Sequence, residues 1–369
     1  MWIMRVIPAT SVLRCYYKFF SQPLYFNPIA PSGLSYFMAG EVNGRPNSLA
    51  QGARMEILTL SLLMLVPMLV ALAWYLPAVA VRRAVARPFP SEFAAILRRN
   101  VAPYQAMPPP LQQQLKRLIL QFLAQKKFIG CGGLMVSDEM RVTVAAQACL
   151  LILNQSAYQR SLRSKVWLPW LPQVFPALGL ILLYPSSFVV PRDQFGVGGV
   201  VTHASQTLAG ESWNDGRVIL AWDHVQQSTL SFASGHNVVI HEFAHQLDSE
   251  TGHSNGAPAL PSRAAYQRWS QVLGQEFERL QQVQQQQQQQ QQLGQQQLGQ
   301  DPGGAQEDDA GLAVPLANAI DFYGATNPAE FFAVASETFF CQPHNLAQHH
   351  SRLFEELQRY YRVDPRLWQ

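Results

Sequence analysis

With 369 residues, the chain is long enough for one large domain or two small ones with a full hydrophobic core. Charged residues are only 14% and hydrophobic ones 48%, an apolar balance that points to a membrane segment. The net charge is a weak +3 and no dense Lys/Arg stripe occurs, so nothing in the chain suggests a nucleic-acid partner.

Four cysteines, Cys15, Cys131, Cys149 and Cys341, lie far apart without CxxC spacing. They read as reduced thiols, mostly buried, in a reducing compartment. Residues 1–54 contain no acid before Glu41, while Arg5, Arg14 and Lys18 sit among aromatics and serines. That pattern fits a targeting leader, a Pro/Gly-rich tail, or translated sequence upstream of a start at Met55.

From Ile57 to Val81 about twenty-five residues pass without a charge, despite Pro67 and Pro77. The run is long enough to span a bilayer as one helix, and Trp74 and Tyr75 suit an interface. We therefore expect a transmembrane helix over residues 55–82. Arg82, Arg83 and Arg87 follow at once, against Arg45 and Arg54 before it, which favours a single-pass protein with its C-terminal domain on the cytoplasmic side. A cytosolic protein is the alternative. Pro88, Pro90 and Pro108-Pro109-Pro110 mark residues 83–107 as a linker to a folded domain over 108–369.

Leu111 to Phe128 has helical apolar spacing and a basic end, and Val142 to Leu153 is a more apolar helix in which Cys149 is a packing residue. Leu178–Tyr184, Phe188–Val190 and Arg217–Trp222 read as strands, with Gly210 and Gly216 as turns. Short strands between helices give an α+β domain. In such a domain a strand beside the active cleft can pair with an extended peptide; Arg217–Trp222 is the candidate, though it could equally be interior.

Val238 to Asp248 carries His-Glu-x-x-His as His241-Glu242-Phe243-Ala244-His245. On a helix, positions i and i+4 share a face, so both imidazoles can reach one tetrahedral Zn²⁺ with Glu242 beside it. A catalytic zinc needs a third protein ligand and leaves its fourth position to water. The metzincin extension would place Gly at 248 and His at 251; Asp248 and Thr251 reject it.

Ala264 to Gln281 is helical and then dissolves into glutamines, so residues from about 282 to 309 read as a disordered insert. In Asn327-Pro328-Ala329-Glu330, Asn327 is a good N-cap and Pro328 a good first helical residue. Glu330 and Glu337 then lie seven apart on one face of an apolar helix. A carboxylate there needs a partner, and a zinc already held by two histidines would be one. The plainer reading of Glu330 is charge compensation at a helix N-terminus. An aspzincin-like site would instead take Asp321 as third ligand. His236, His253, His349 and His350 read as surface residues.

The segments LILLYPSSFVV, GESWNDGRVILAW, ASGHNVVIHEFAHQLD and DFYGATNPAEFFAVASETFF resemble the signature regions of the Mlc titration factor A family. Those proteins are zinc-dependent peptidases related to the gluzincin clan and to the catalytic domain of anthrax lethal factor. The likeness runs from about Pro108 to the C-terminus, outside the glutamine tract. It implies a zincin-like fold and one zinc held by His241, His245 and Glu330. It further implies Glu242 as catalytic carboxylate, Tyr323 as the phenol facing the scissile carbonyl, and a peptide or protein substrate. The family also resembles binding partners of a transcriptional repressor, so the alternative is a zinc-binding regulatory module. The apolar helix, the leader and the glutamine tract depart from the soluble bacterial form. Glu337 and Asp248 are candidates to orient a ligand histidine through its second ring nitrogen.

Overall fold

The computed structural model describes residues 48–154, 173–195, 201–208, 210–213, 216–298 and 319–368. Within them the chain is a mixed, mainly helical protein with a small, mostly parallel sheet. Residues 1–47 and the remainder of the glutamine-rich stretch, from 299 onward, lie outside the described residues.

Helix α1 spans Ser48–Ala86, starting earlier than the apolar run. Thr59–Ala86 is long and apolar enough to cross a membrane by length and composition. Its side chains, among them Leu60, Leu63, Met68, Leu72 and Leu76, are exposed. At Ala78 and Val81 the helix becomes one-sided and buries that face, packing near α3 (Pro109–Gln125).

The supposed linker is largely folded. Helix α2 (Ser91–Asn100) buries Ile96 and Leu97, and Val101, Tyr104 and Met107 follow it into the core. Five apolar side chains in twelve residues are enough to hold a segment that its prolines alone suggested was a spacer. Asn100 joins it to α4 (Asp138–Leu150) by donating to Thr143 Oγ1 at 2.9 Å.

In α3, Leu115, Leu118, Ile119 and Phe122 have the i, i+3, i+4, i+7 spacing of a buried stripe. The helix ends at Gln125 rather than Phe128, because Lys126 turns extended and Lys127–Gly130 becomes strand β1. The buried Lys126 Nζ donates to the carbonyls of Phe175 (2.8 Å) and Leu178 (2.6 Å), tying this corner to the approach to strand β2 (Leu180–Tyr184). Helix α4 begins earlier than its apolar stretch, since Ser137 caps it and Asp138 and Glu139 occupy its first turn. It crosses the core with Cys149 fully buried.

The main sheet has the order β1–β2–β6–β5, where β2 is Leu180–Tyr184, β6 Arg217–Ala221 and β5 Gly210–Trp213. Strands β1, β2 and β6 run parallel; β5 pairs antiparallel with β6. Arg217–Ala221 is therefore an interior strand, not the edge that could receive a peptide. Val218, Ile219, Leu220 and Ala221 are all buried, and such continuous burial on both faces belongs to an inner strand. Gly210 opens strand β5 instead of forming a turn. Gly216 does turn, at φ +86°, where a Cβ would lie 2.6 Å from the Ala177 carbonyl oxygen. Strands β3 (Phe188–Phe195) and β4 (Val201–Leu208) form a separate antiparallel pair.

Beyond β6, α5 (Trp222–Leu230) leads to α6 (Val238–Ser249), the helix carrying the His-Glu-x-x-His segment. It packs against α4 and α8 (Pro328–Cys341), with β5 and β6 alongside. Phe243 sits between Phe175 (ring centroids 4.9 Å) and Phe122 (5.7 Å), fixing the inner face of α6 in the core.

Helix α7 runs from Arg263 to Leu298, well past the Gln281 at which the periodicity fades. Trp269, Leu273 and Leu280 root it in the core. Glutamine is a good helix former, so the tract extends an established helix at little cost even with its side chains largely exposed. Helices α9 (Pro343–His349) and α10 (Ser351–Tyr361) close the fold, with Tyr361 buried against Phe339 and Phe340 of α8.

Candidate metal centre

Three local devices aim the site residues. Asn237 caps α6, its side-chain oxygen accepting from the Ile240 N–H at 3.0 Å. Asn327 caps α8 by accepting from the N–H groups of Ala329 and Glu330, both at 3.0 Å. Asp321 caps the short 3-10 turn Phe322–Ala325 by accepting from the Tyr323 N–H at 2.7 Å.

The structure brings His241, His245 and Glu330 together. The two Nε2 atoms are 3.2 Å apart, and Glu330 Oε2 lies 3.1 Å from His241 Nε2 and 3.3 Å from His245 Nε2. Ligand atoms on a tetrahedral zinc at 2.0–2.1 Å are separated by about 3.3 Å, so the triangle has the size that ion demands. Among the described residues this is the one His/Cys/Asp/Glu group that could hold a metal.

The protonation pattern agrees. Glu337 Oε1 lies 2.7 Å from His241 Nδ1, so it can hold the ring proton there when the imidazole is neutral, which frees Nε2 to ligate a metal beside Glu330 and His245. Its other oxygen accepts from the Asn237 N–H at 2.5 Å. One carboxylate on α8 thus fixes both the start of the metal helix and the tilt of its first histidine. Two imidazole nitrogens and a carboxylate oxygen converging on one point at these separations fit a divalent metal once both histidines are neutral.

With no ion between them, the carboxylates instead draw protons onto the histidines, which a bound cation would displace. Burial pushes His241 down, but the Glu337 carboxylate, hydrogen bonds with Glu330 and Glu337 and the Glu242 charge outweigh it and raise its pKa well above 6.5. Burial pushes Glu330 up, yet hydrogen bonds from His241 and His245 hold it far below the usual carboxylate range. The cluster holds more negative charge than its histidines balance.

Glu242 is buried beside the pair. Tyr323 is half exposed, its ring centroid 5.9 Å from that of His241, so its ring lies beside the histidine pair. Asp321 does not join the group: its carboxylate caps the Tyr323 turn and lies 3.7 Å from His236. Asp248 does not approach a ring nitrogen within hydrogen-bond distance; it accepts from the Gly256 N–H at 2.8 Å. His350 is buried rather than on the surface, its Nδ1 2.7 Å from Glu276 Oε2. Asn237 and Gly256 were not singled out from the sequence. An Asn immediately before the apolar Val238–Ile240 is a readable cap signal, whereas nothing local marks Gly256.

A buried helix presenting two histidines and a glutamate at i+1, with a carboxylate from a second helix beside them, is a group of the metallopeptidase type that could hold a metal ion. The comparisons with known proteins give the family. The model described as glucose-regulated metallo-peptidase M90 matches residues 78–362, and the chain belongs to that metallopeptidase family. The uncharacterized protein slr2042 of Synechocystis is 36% identical over 280 residues, covering 76% of this chain and 86% of its own. Mlc titration factor A of Yersinia pestis is 31% identical over 257 residues, covering 69% and 79%. The Yersinia pseudotuberculosis protein of the same name matches to the same extent.

Proposed function

We propose that this chain is a zinc-dependent peptidase of α+β, zincin-like architecture, held to a membrane by α1 with its catalytic domain on the cytoplasmic side. The observation that carries the reading is the 3.1–3.3 Å triangle of His241 Nε2, His245 Nε2 and Glu330 Oε2, with Glu242 one residue along the same helix.

A zinc ion bound there supplies a Lewis acid that lowers the pKa of coordinated water to about 7. His241, His245 and Glu330 would hold it, and Glu337, 2.7 Å from His241 Nδ1, would keep that histidine in the ligating tautomer. Glu242 accepts the proton of the attacking water and returns it to the leaving amine. Tyr323 donates its phenolic hydrogen bond to the oxyanion that develops on the scissile carbonyl. The substrate is a peptide or protein.

The test uses the full chain in mild detergent, beside Glu242→Gln and Glu330→Ala. Wild type should carry one zinc and cleave peptides. Glu242→Gln should keep the metal and lose at least about a hundredfold in rate, and Glu330→Ala should lose the metal. Carbonate extraction of membranes from expressing cells tests the anchor: the chain should stay in the pellet, and its release would remove the membrane assignment.

A second reading rests on the name of the Yersinia relatives, titration factors for Mlc: a zinc-binding module that docks a protein regulator. Metal binding without cleavage of any peptide in a broad library would favour it.

A further inference from the structure

Gly256 lies in the loop after the metal helix and takes no part in the chemistry, yet three helices meet on its peptide. Its N–H donates to Asp248 Oδ2 on α6 at 2.8 Å. Its carbonyl accepts from Trp269 Nε1 on α7 at 2.8 Å. Its Cα faces the first residue of α8 so closely that a Cβ would stand 2.3 Å from the Pro328 carbonyl oxygen and 2.8 Å from the carbonyl carbon. Its φ of +76° adds a second requirement for glycine.

Asp248 and Trp269 are both buried. Trp269 also packs edge-on against Phe332 of α8 at 5.6 Å. Asp248 lies one helical turn beyond His245, and Pro328 stands two residues before Glu330. The Gly256 peptide therefore links the helix that carries the histidines to the start of the helix that carries the third ligand candidate.

We propose that Gly256, gripped by Asp248 and Trp269, is a positioning residue that sets the distance between Glu330 and the histidine pair. The inference rests on the zinc-ligand reading above. A buried aspartate holds the peptide group before Gly256 and an indole holds the one after it, so the backbone is fixed on both sides of the glycine, and its bare Cα allows the contact with Pro328. The first turn of α8 is seated against it, and Glu330 moves with that turn. A shift of a few tenths of an ångström at Pro328 opens the 3.1 and 3.3 Å separations that suit the metal. The clamp acts by geometry and not by charge, so an amide at position 248 serves as well as a carboxylate.

The experiment measures zinc affinity by chelator competition and the visible spectrum of the cobalt-substituted full chain. It compares wild type with Gly256→Ala, Trp269→Phe, Asp248→Ala and Asp248→Asn, each also melted in excess chelator. Trp269→Phe keeps an aromatic ring while losing the N–H donor and part of the buried ring volume, so its metal-free melt, compared with its zinc affinity, separates the lost hydrogen bond from lost packing. We expect Gly256→Ala, Trp269→Phe and Asp248→Ala to bind zinc roughly 10- to 100-fold more weakly with altered cobalt bands. Asp248→Asn should restore affinity to within about threefold of wild type, because its amide oxygen still accepts from the Gly256 N–H. Lower melting temperatures with unchanged zinc affinity and unchanged cobalt bands would overturn the clamp while leaving the peptidase reading intact. Failure of Asp248→Asn to restore affinity would overturn its geometric basis. Wild-type protein that takes up no metal would instead sink the peptidase reading itself, and the clamp with it.

Discussion

Glu337 offers the sharpest test of how the metal centre is held. Its two oxygens accept from the Asn237 N–H at 2.5 Å and stand 2.7 Å from His241 Nδ1, in a residue only 6% exposed. Hydrogen bonds to a charged group contribute about 1.5–3 kcal/mol each, so Glu337→Ala should cost about 3–6 kcal/mol. That is a large part of the roughly 5–15 kcal/mol a domain possesses, so the alanine variant risks unfolding. Glu337→Gln is the informative change. Its single amide oxygen can satisfy one donor, while the amide NH₂ is left facing the other. His241 then loses its anionic partner, and zinc affinity should fall roughly 10- to 100-fold. That loss corresponds to about 1.4–2.7 kcal/mol. Zinc binding by indicator competition on the full chain, with a guanidinium melt in chelator, separates the two effects. If Glu337→Gln binds zinc within about twofold of wild type while metal-free stability falls, Glu337 is only the cap of α6, and its role in orienting His241 is refuted.

Three further outcomes are expected. Under the proposed mechanism, in which the phenol acts only on the developing oxyanion, Tyr323→Phe should lower kcat about 10²- to 10³-fold with KM and zinc content nearly unchanged; an equal rise in KM would move Tyr323 to substrate binding. Phe243→Ala removes a fully buried ring packed on Phe122 and Phe175, and should cost about 3–5 kcal/mol by denaturant titration. Lys126 gives a pH signature: burial pushes its pKa from 10.5 down to about 7. From pH 7 to 10 the unfolded chain holds a proton that the folded chain has released, so this group's contribution to stability rises with pH, by about 1.4 kcal/mol per unit at most. The neutral amine keeps two hydrogens for the Phe175 and Leu178 carbonyls. Denaturant melts at pH 7, 8 and 9 should show a slope in wild type that Lys126→Gln lacks, and equal slopes would contradict the depressed pKa.

Much of this protein follows from local chemistry and was therefore readable in its sequence. The His241–His245 spacing is a consequence of helical periodicity, and Asn327-Pro328 announces the helix that places Glu330. The uncharged run before Arg82 declares an apolar helix by composition alone. Other features depend on partners distant in the chain. Val218 to Ala221 reads as a strand, but its inner place follows from β2 and β5 lying on either side of it. The prolines before Pro108 suggested a spacer, whereas Leu97, Val101 and Tyr104 find a core built from later residues. Asp248 could have served either a histidine or a loop, and only the fold brings the Gly256 N–H to it. By itself the sequence marked the His241, Glu242 and His245 side chains as the candidates to bind and activate, because ligand type and helical spacing are local properties. Tertiary structure alone decided that Glu330, 85 positions beyond His245, completes the triangle, and that Glu337, 96 beyond His241, sets its tilt. Packing α8 against α6 is what turns those sequence separations into distances near 3 Å.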